Sequence, residues 1–104
     1  MKKYKIEIHS EAKIDFHAQL EYLAENGCPI ETLRKFSVEL KAARNAILQN
    51  PLTWPISSPR KKVRRYGPTP RFRYLIFYVV MADDCIRIIE YAGPGRLPRW
   101  TERY

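Results

Sequence analysis

Apolar and polar residues alternate between Tyr4 and His9. Tyr4, Ile6 and Ile8 fall on one face and Lys5, Glu7 and His9 on the other, the pattern of a half-buried strand. Ser10 is placed to cap the helix that follows. In that helix Ala12, Phe16, Leu20 and Leu23 recur at helical spacing and make one apolar stripe. Gly27 is the expected stop, and Pro29 suits the first turn of a second helix. There Leu33, Phe36, Leu40, Ala43 and Ile47 form the stripe, while Arg34, Lys35, Glu39, Lys41 and Arg44 are expected to face solvent. The short link makes the pair an antiparallel helical hairpin. A coiled coil would show the same repeat, but so few heptads favour packing on a sheet. Asn50-Pro51 ends the second helix.

Pro51 to Lys62 reads as a loop punctuated by Pro51, Pro55 and Pro59. Trp54 is expected to plug one end of the core rather than to meet a ligand. The chain then turns to strands. Val63-Arg64-Arg65-Tyr66 is followed by a break at Gly67-Pro68-Thr69-Pro70, a long run from Arg71 to Val80, a turn at Asp83-Asp84 and a return over Cys85–Tyr91. From Phe72 to Val80 every residue except Arg73 is apolar or aromatic, so this strand is buried on both faces at its far end and basic at its near end.

Helices and strands that segregate in this way indicate an α+β fold. The predicted order is β-α-α-β-β-β. An N-terminal strand precedes the helical hairpin, and a three-stranded antiparallel meander completes one sheet. The first strand joins the meander at an edge, with its partner left open. Residues 1–104 form a single domain, with a flexible basic tail from about residue 93. Gly93-Pro94-Gly95 makes the approach to Arg96 flexible or sharply turned.

Charge divides the chain. Residues 1–59 hold eight Lys/Arg against seven Asp/Glu (+1) and residues 60–104 eleven against four (+7), which sums to the net +8. The second half therefore attracts nucleic acid, an anionic surface or an acidic protein, unless it is only a solvated basic face. No apolar run is long enough to span a membrane, and the start does not resemble a signal peptide, so no membrane partner is expected. Cys28 and Cys85 have no metal-type spacing, and neither metal nor cofactor is expected. Unpaired thiols fit a cytoplasmic protein.

The candidate site residues are Arg64, Arg65, Tyr66, Arg71, Arg73, Tyr74, Arg96, Arg99 and Trp100. Arg71 and Arg73 are two apart and are predicted to lie on one strand face, where both could meet one anion. Trp100, with Tyr66 or Tyr74, could stack on a base. Cleaving RNA through its own 2′-hydroxyl needs a base, charge stabilisation and an acid. His9 and His17 read as structural or solvated, and the basic half has no histidine. Catalysis there would fall to Arg, Lys or Tyr, with Arg71, Arg73 and Arg96 as the candidates.

Four stretches carry a resemblance. They are Ser10-Glu11-Ala12 with Asp15-Phe16; Asn50-Pro51 with Trp54-Pro55; Val63-Arg64-Arg65-Tyr66 with Arg71 to Tyr78; and Arg96-Leu97-Pro98-Arg99-Trp100 with Arg103. In this order they resemble the RelE/ParE superfamily of toxins from bacterial type II toxin–antitoxin modules, over nearly the whole chain. The resemblance implies a β-α-α-β-β-β fold and a growth-inhibiting toxin of the plasmid-stabilisation type, silenced by a cognate antitoxin. ParE-like members bind DNA gyrase without a nuclease reaction. RelE-like members are metal-independent endoribonucleases that cut mRNA on the ribosome. RelE-like enzymes carry an arginine directly after the first tyrosine of the aromatic strand, where this chain has Leu75. They also tend to have a tyrosine where Trp100 stands. Both departures point to the ParE-like group. A non-toxic basic nucleic-acid-binding domain is a lesser alternative, since no helix concentrates Arg and Lys for entry into a groove.

Overall fold

The computed structural model describes residues 3–104; Met1 and Lys2, from the basic start, lie outside the described residues. The alternating start forms β1 (Lys5–Ile8). Ile6 and Ile8 turn inward, and Lys5 and Glu7 stay exposed. The two apolar stripes become α1 (Ser10–Glu25) and α2 (Ile30–Gln49). Four strands follow: β2 (Ile56–Ser58), β3 (Val63–Tyr66), β4 (Leu75–Val80) and β5 (Cys85–Ala92). A single turn, α3 (Trp100–Arg103), ends the chain. The fold is α+β, as the sequence predicts.

Two helix boundaries move from their expected positions. His9, not Ser10, caps α1: its Nδ1 accepts the Glu11 N–H at 3.1 Å, which places Ser10 inside the helix. Pro29 is the N-cap of α2 rather than its first helical residue. Gly27 does end α1, at φ +75°, where a side chain would be strained.

The five strands form one sheet in the order β1-β5-β4-β3-β2. β1 pairs with β5 in parallel, and the other pairs are antiparallel. The expected three-stranded meander gains a fourth member, because Ile56–Ser58 pairs with β3 inside the segment expected to be loop. Flanking prolines and only three residues leave that strand almost no sequence signature.

The sheet separates two layers of apolar side chains. On one face Ile76, Tyr78, Ile86, Ile88 and Tyr91 pack under Ala12 of α1 and Phe36, Leu40, Ala43 and Ile47 of α2. Phe16 and Phe36 stack at 5.7 Å and join the helices over this layer. The other face holds Val63, Phe77, Val79, Ile89 and Ala92, with Leu75, Met81 and Trp100 against them. β4 is thus buried on both sides, as its unbroken apolar run requires. A register shift opposite Phe77 and Tyr78 puts an extra residue into β5. It lets Glu90 reach the α3 side, where its carboxylate accepts the Arg99 and Trp100 N–H groups at 2.8 and 3.0 Å.

The segment from Gly93 is therefore anchored, in contrast to the free tail expected. Trp100 lies over Phe77 at 6.3 Å between ring centroids. Arg103 runs back to α1, where it meets Asp15 at 2.6 and 2.9 Å and Glu11 at 3.3 Å. Glu39 and Arg44, expected in solvent, are both in use. Glu39 binds the backbone near residue 71, and Arg44 donates to the Tyr91 hydroxyl at 3.2 Å.

Candidate functional site

The arginines of the aromatic run are set by a tight turn, not by a strand. Gly67-Pro68 is a cis peptide bond, and Gly67 lies at φ +110°. A Cβ on Gly67 would stand 2.5 Å from the Tyr74 carbonyl, so only glycine fits. Thr69 then closes the turn. Its N–H donates to the Tyr74 carbonyl, and its hydroxyl accepts the Tyr74 N–H, each at 2.9 Å. From α2, Glu39 accepts the Arg71 N–H at 3.0 Å and the Phe72 N–H at 2.7 Å. Burial works to raise the Glu39 pKa, but the Thr69 hydroxyl and these two N–H groups outweigh it and hold the carboxyl below its usual range.

This corrects the expected placement of Arg71 and Arg73. β4 begins only at Leu75, and Arg73 takes a left-handed conformation at φ +60°. Both side chains are exposed on the turn and do not share a strand face. β-propensity in this stretch is overridden by Gly67, Pro68 and Pro70 and by the carboxylate that binds its amides.

The β3 residues go three ways. Arg64 is a structural clamp, donating to the Leu52 and Trp54 carbonyls at 3.0 and 2.7 Å. It holds the loop that the Tyr78 hydroxyl also binds, through Pro51 O at 2.6 Å. Arg65 is exposed. Tyr66 packs edge-on to Trp54, at 4.5 Å between centroids, which makes Trp54 part of the core margin, as expected of a plug. Beyond Tyr66 a groove of about 560 Å³ runs along α2. Val38, Ala42, Tyr66 and Pro70 line it, and Arg34, Lys35 and Arg71 stand among them.

A second cleft, of about 290 Å³, lies between α1 and the segment after β5. It brings Tyr74, Arg96 and Arg99 together, with Gly93, Tyr91 and Arg103. Tyr74 itself is 6% exposed, against Phe36, so it is not the free stacking platform expected. Burial pushes its hydroxyl up to about 12, against the pull of Arg96, so at neutral pH it is a neutral donor and not a base. Asp15 and Glu11, the carboxylates of the cleft, are bound to Arg103. Arg96 and Arg99 are exposed.

The predicted residues are thus divided. Tyr66 and Arg71 line the α2 groove, and Tyr74, Arg96 and Arg99 line the cleft beside α1. Arg65 and Arg73 stand apart from both, Arg64 is a clamp, and Trp100 is packed on the open face. Glu39 and Gly93 position site residues without any motif to mark them. Asp15 belongs to a stretch that carries the family resemblance, but its partner, 88 residues away, is invisible in the sequence.

Among the described residues, no helix is long and apolar enough to cross a membrane, and no His, Cys, Asp and Glu side chains cluster to hold a metal ion. No model of a known protein family matches the chain, and no curated protein matches it significantly.

Proposed function

We propose that this protein is the toxin of a bacterial type II toxin–antitoxin module of the RelE/ParE kind, working in the cytoplasm, silenced by a cognate antitoxin and acting on DNA gyrase in the ParE-like manner. The observation that carries the choice of target is the division of the arginines. A centre that cleaves a phosphodiester needs its cationic groups and its base to converge on one phosphorus. Here Arg71 and Arg73 stand on the 69–74 turn, and Arg96 lies in the cleft beside α1. The cleft's carboxylates, Glu11 and Asp15, are already paired with Arg103, and burial holds the Tyr74 hydroxyl protonated. A surface that only grips a partner protein works with such dispersed contacts.

The α2 groove supports the antitoxin half of the proposal. Its apolar floor suits an amphipathic segment, and its three cations, Arg34, Lys35 and Arg71, outnumber its carboxylates, Glu31 and the Glu39 already bound by the Arg71 and Phe72 N–H groups, which favours acidic residues on that segment. The second reading, a RelE-like ribosome-dependent endoribonuclease, is favoured by one observation: Tyr74, Arg96 and Arg99 do meet in a single cleft.

Controlled expression in bacteria tests the proposal. Induction should arrest growth, and co-expression of an antitoxin from the adjoining reading frame should restore it. The Arg73→Ala/Arg96→Ala protein should be folded and harmless. A parent chain that leaves growth untouched would overturn the toxin reading; a fully toxic double variant would overturn the site.

A further inference from the structure

We propose that the recess between α1, α2 and the β1–β5 edge of the sheet is a binding site for a small organic dicarboxylate, with Lys13 of α1 and Arg44 of α2 each taking one carboxylate group. The inference stands on the geometry of this recess and does not depend on the toxin reading.

The recess has a volume of about 250 Å³ and is lined by Ile8 of β1, Lys13, Phe16 and His17 of α1, Arg44 of α2 and Tyr91 of β5. It contains no carboxylate. Its three basic side chains belong neither to the groove along α2 nor to the clefts beside the 93–99 segment. Lys13 and His17 are one helical turn apart and share a face of α1. Arg44 enters from the other helix of the hairpin.

The carboxylates of the surrounding elements are engaged elsewhere. Arg103 holds Glu11 and Asp15, and Asp15 also accepts the Tyr91 N–H. Glu7 of β1 pairs with Arg87 at 3.4 Å. Glu90 of β5 accepts the Arg99 and Trp100 N–H groups, and Glu39 of α2 those of Arg71 and Phe72. Glu21, the next turn of α1 after His17, lines the apolar groove that also holds Arg34.

Arg44 has instead a neutral partner. Its guanidinium donates to the Tyr91 hydroxyl at 3.2 Å. Burial raises the pKa of that hydroxyl in spite of Arg44, so it stays protonated and brings no negative charge. Lys13 has no ion pair among the described residues. Two cations therefore face the recess from two helices, and the His17 imidazole adds an N–H donor in either of its protonation states.

Between these groups the surface is apolar. The Phe16 ring lies 5.6 Å from His17 and 6.4 Å from Tyr91, and Ile8 completes the floor. Two separated charges over such a floor match an anion whose two carboxylates are joined by a short hydrocarbon body. A monocarboxylate answers one cation only, and inorganic phosphate leaves the floor uncovered. The volume lies below the usual range of drug-sized sites, about 300–1,000 Å³, and so suits a small acid.

The test is a titration of the ¹⁵N-labelled protein, at constant pH and ionic strength, with succinate, glutarate, acetate and inorganic phosphate. The expected result is saturable shifts at Lys13, His17 and Arg44 with at least one dicarboxylate, and weaker binding of acetate and phosphate. Lys13→Gln and Arg44→Gln should each weaken dicarboxylate binding by about fivefold or more while keeping the parental spectrum elsewhere. Lys41→Gln, on the exposed side of α2, should leave it unchanged. The proposal is overturned by no saturable shift with either dicarboxylate, by acetate or phosphate binding as tightly, by parental affinity in both recess variants, or by an equal loss in Lys41→Gln. Failure here leaves growth arrest intact, and a harmless parent chain leaves this binding intact, so the two readings fail separately.

Discussion

Asp15 of α1 and Arg103 of α3 close the edge of β5 beyond the end of β1. β1 pairs only as far as Ile88, and the chain then leaves the sheet at His9. The next edge groups of β5, Ile89 C=O and Tyr91 N–H, would be left bare. The Arg103 guanidinium donates to Ile89 O at 3.1 Å, and Asp15 accepts the Tyr91 N–H at 3.2 Å. Each also holds the other, at 2.6 and 2.9 Å. One ion pair therefore completes a sheet edge and fastens the C-terminal turn.

The pair is nearly dry, with the Arg103 side chain 8% exposed and that of Asp15 18%. Removing one partner strands the other, together with a backbone group. Asp15→Ala or Arg103→Ala should each lower stability on the order of 3 kcal/mol, read from urea unfolding. The double variant should lose much less than the sum. Additive losses would mean that the two residues do not act as one unit.

Glu39 and Glu90 should give opposite pH signatures. The Glu39 pKa is lowered in the fold, so its contribution is present above the ordinary carboxylate range and fades as pH falls through the folded value. The Glu90 pKa is raised, mainly by burial and in spite of the Arg99 N–H and Arg103, so its ionisation near neutrality costs stability that returns as pH falls through the folded value. Glu39→Ala should destabilise at pH 7 by roughly 1–2 kcal/mol, less at pH 4. Glu90→Gln should match or exceed the parent at pH 7 and lose that advantage at pH 4. Chemical denaturation at the two pH values checks both signs.

Gly67 has a sharper requirement than the other glycines. Gly67→Ala must relieve a 2.5 Å approach to backbone at φ +110°, and it should cost about 2–3 kcal/mol. Gly27, at φ +75° with open space around its Cβ position, should lose only about 1 kcal/mol on the same change. Equal thermal shifts would contradict the role given to the 67–74 turn.

Charge reversal in the α2 groove tests the proposal that an antitoxin docks there. Arg34→Glu with Arg71→Glu should weaken antitoxin binding by about tenfold or more and flatten its salt dependence, with the melting temperature kept. Unchanged affinity would place the antitoxin elsewhere.

The elements that repeat regularly were legible in the sequence. α1, α2, β1 and β4 follow from stripes and runs whose period matches their burial. What was not legible depends on partners far away in the chain. The parallel pairing of β1 with β5 leaves no local trace. β2 is three residues whose pairing is decided by β3. Arg71 and Arg73 look like strand residues until Glu39, on another element, takes the amides beside them. The sequence showed which side chains could form a basic site, but the turn and the C-terminal anchor decide which of them meet.

The proposed target is tested most directly by presenting the purified protein to DNA gyrase in a supercoiling assay and, in parallel, to programmed ribosomes. We expect inhibition of gyrase with the mRNA left intact. Codon-dependent cleavage of the mRNA with gyrase unaffected would contradict it.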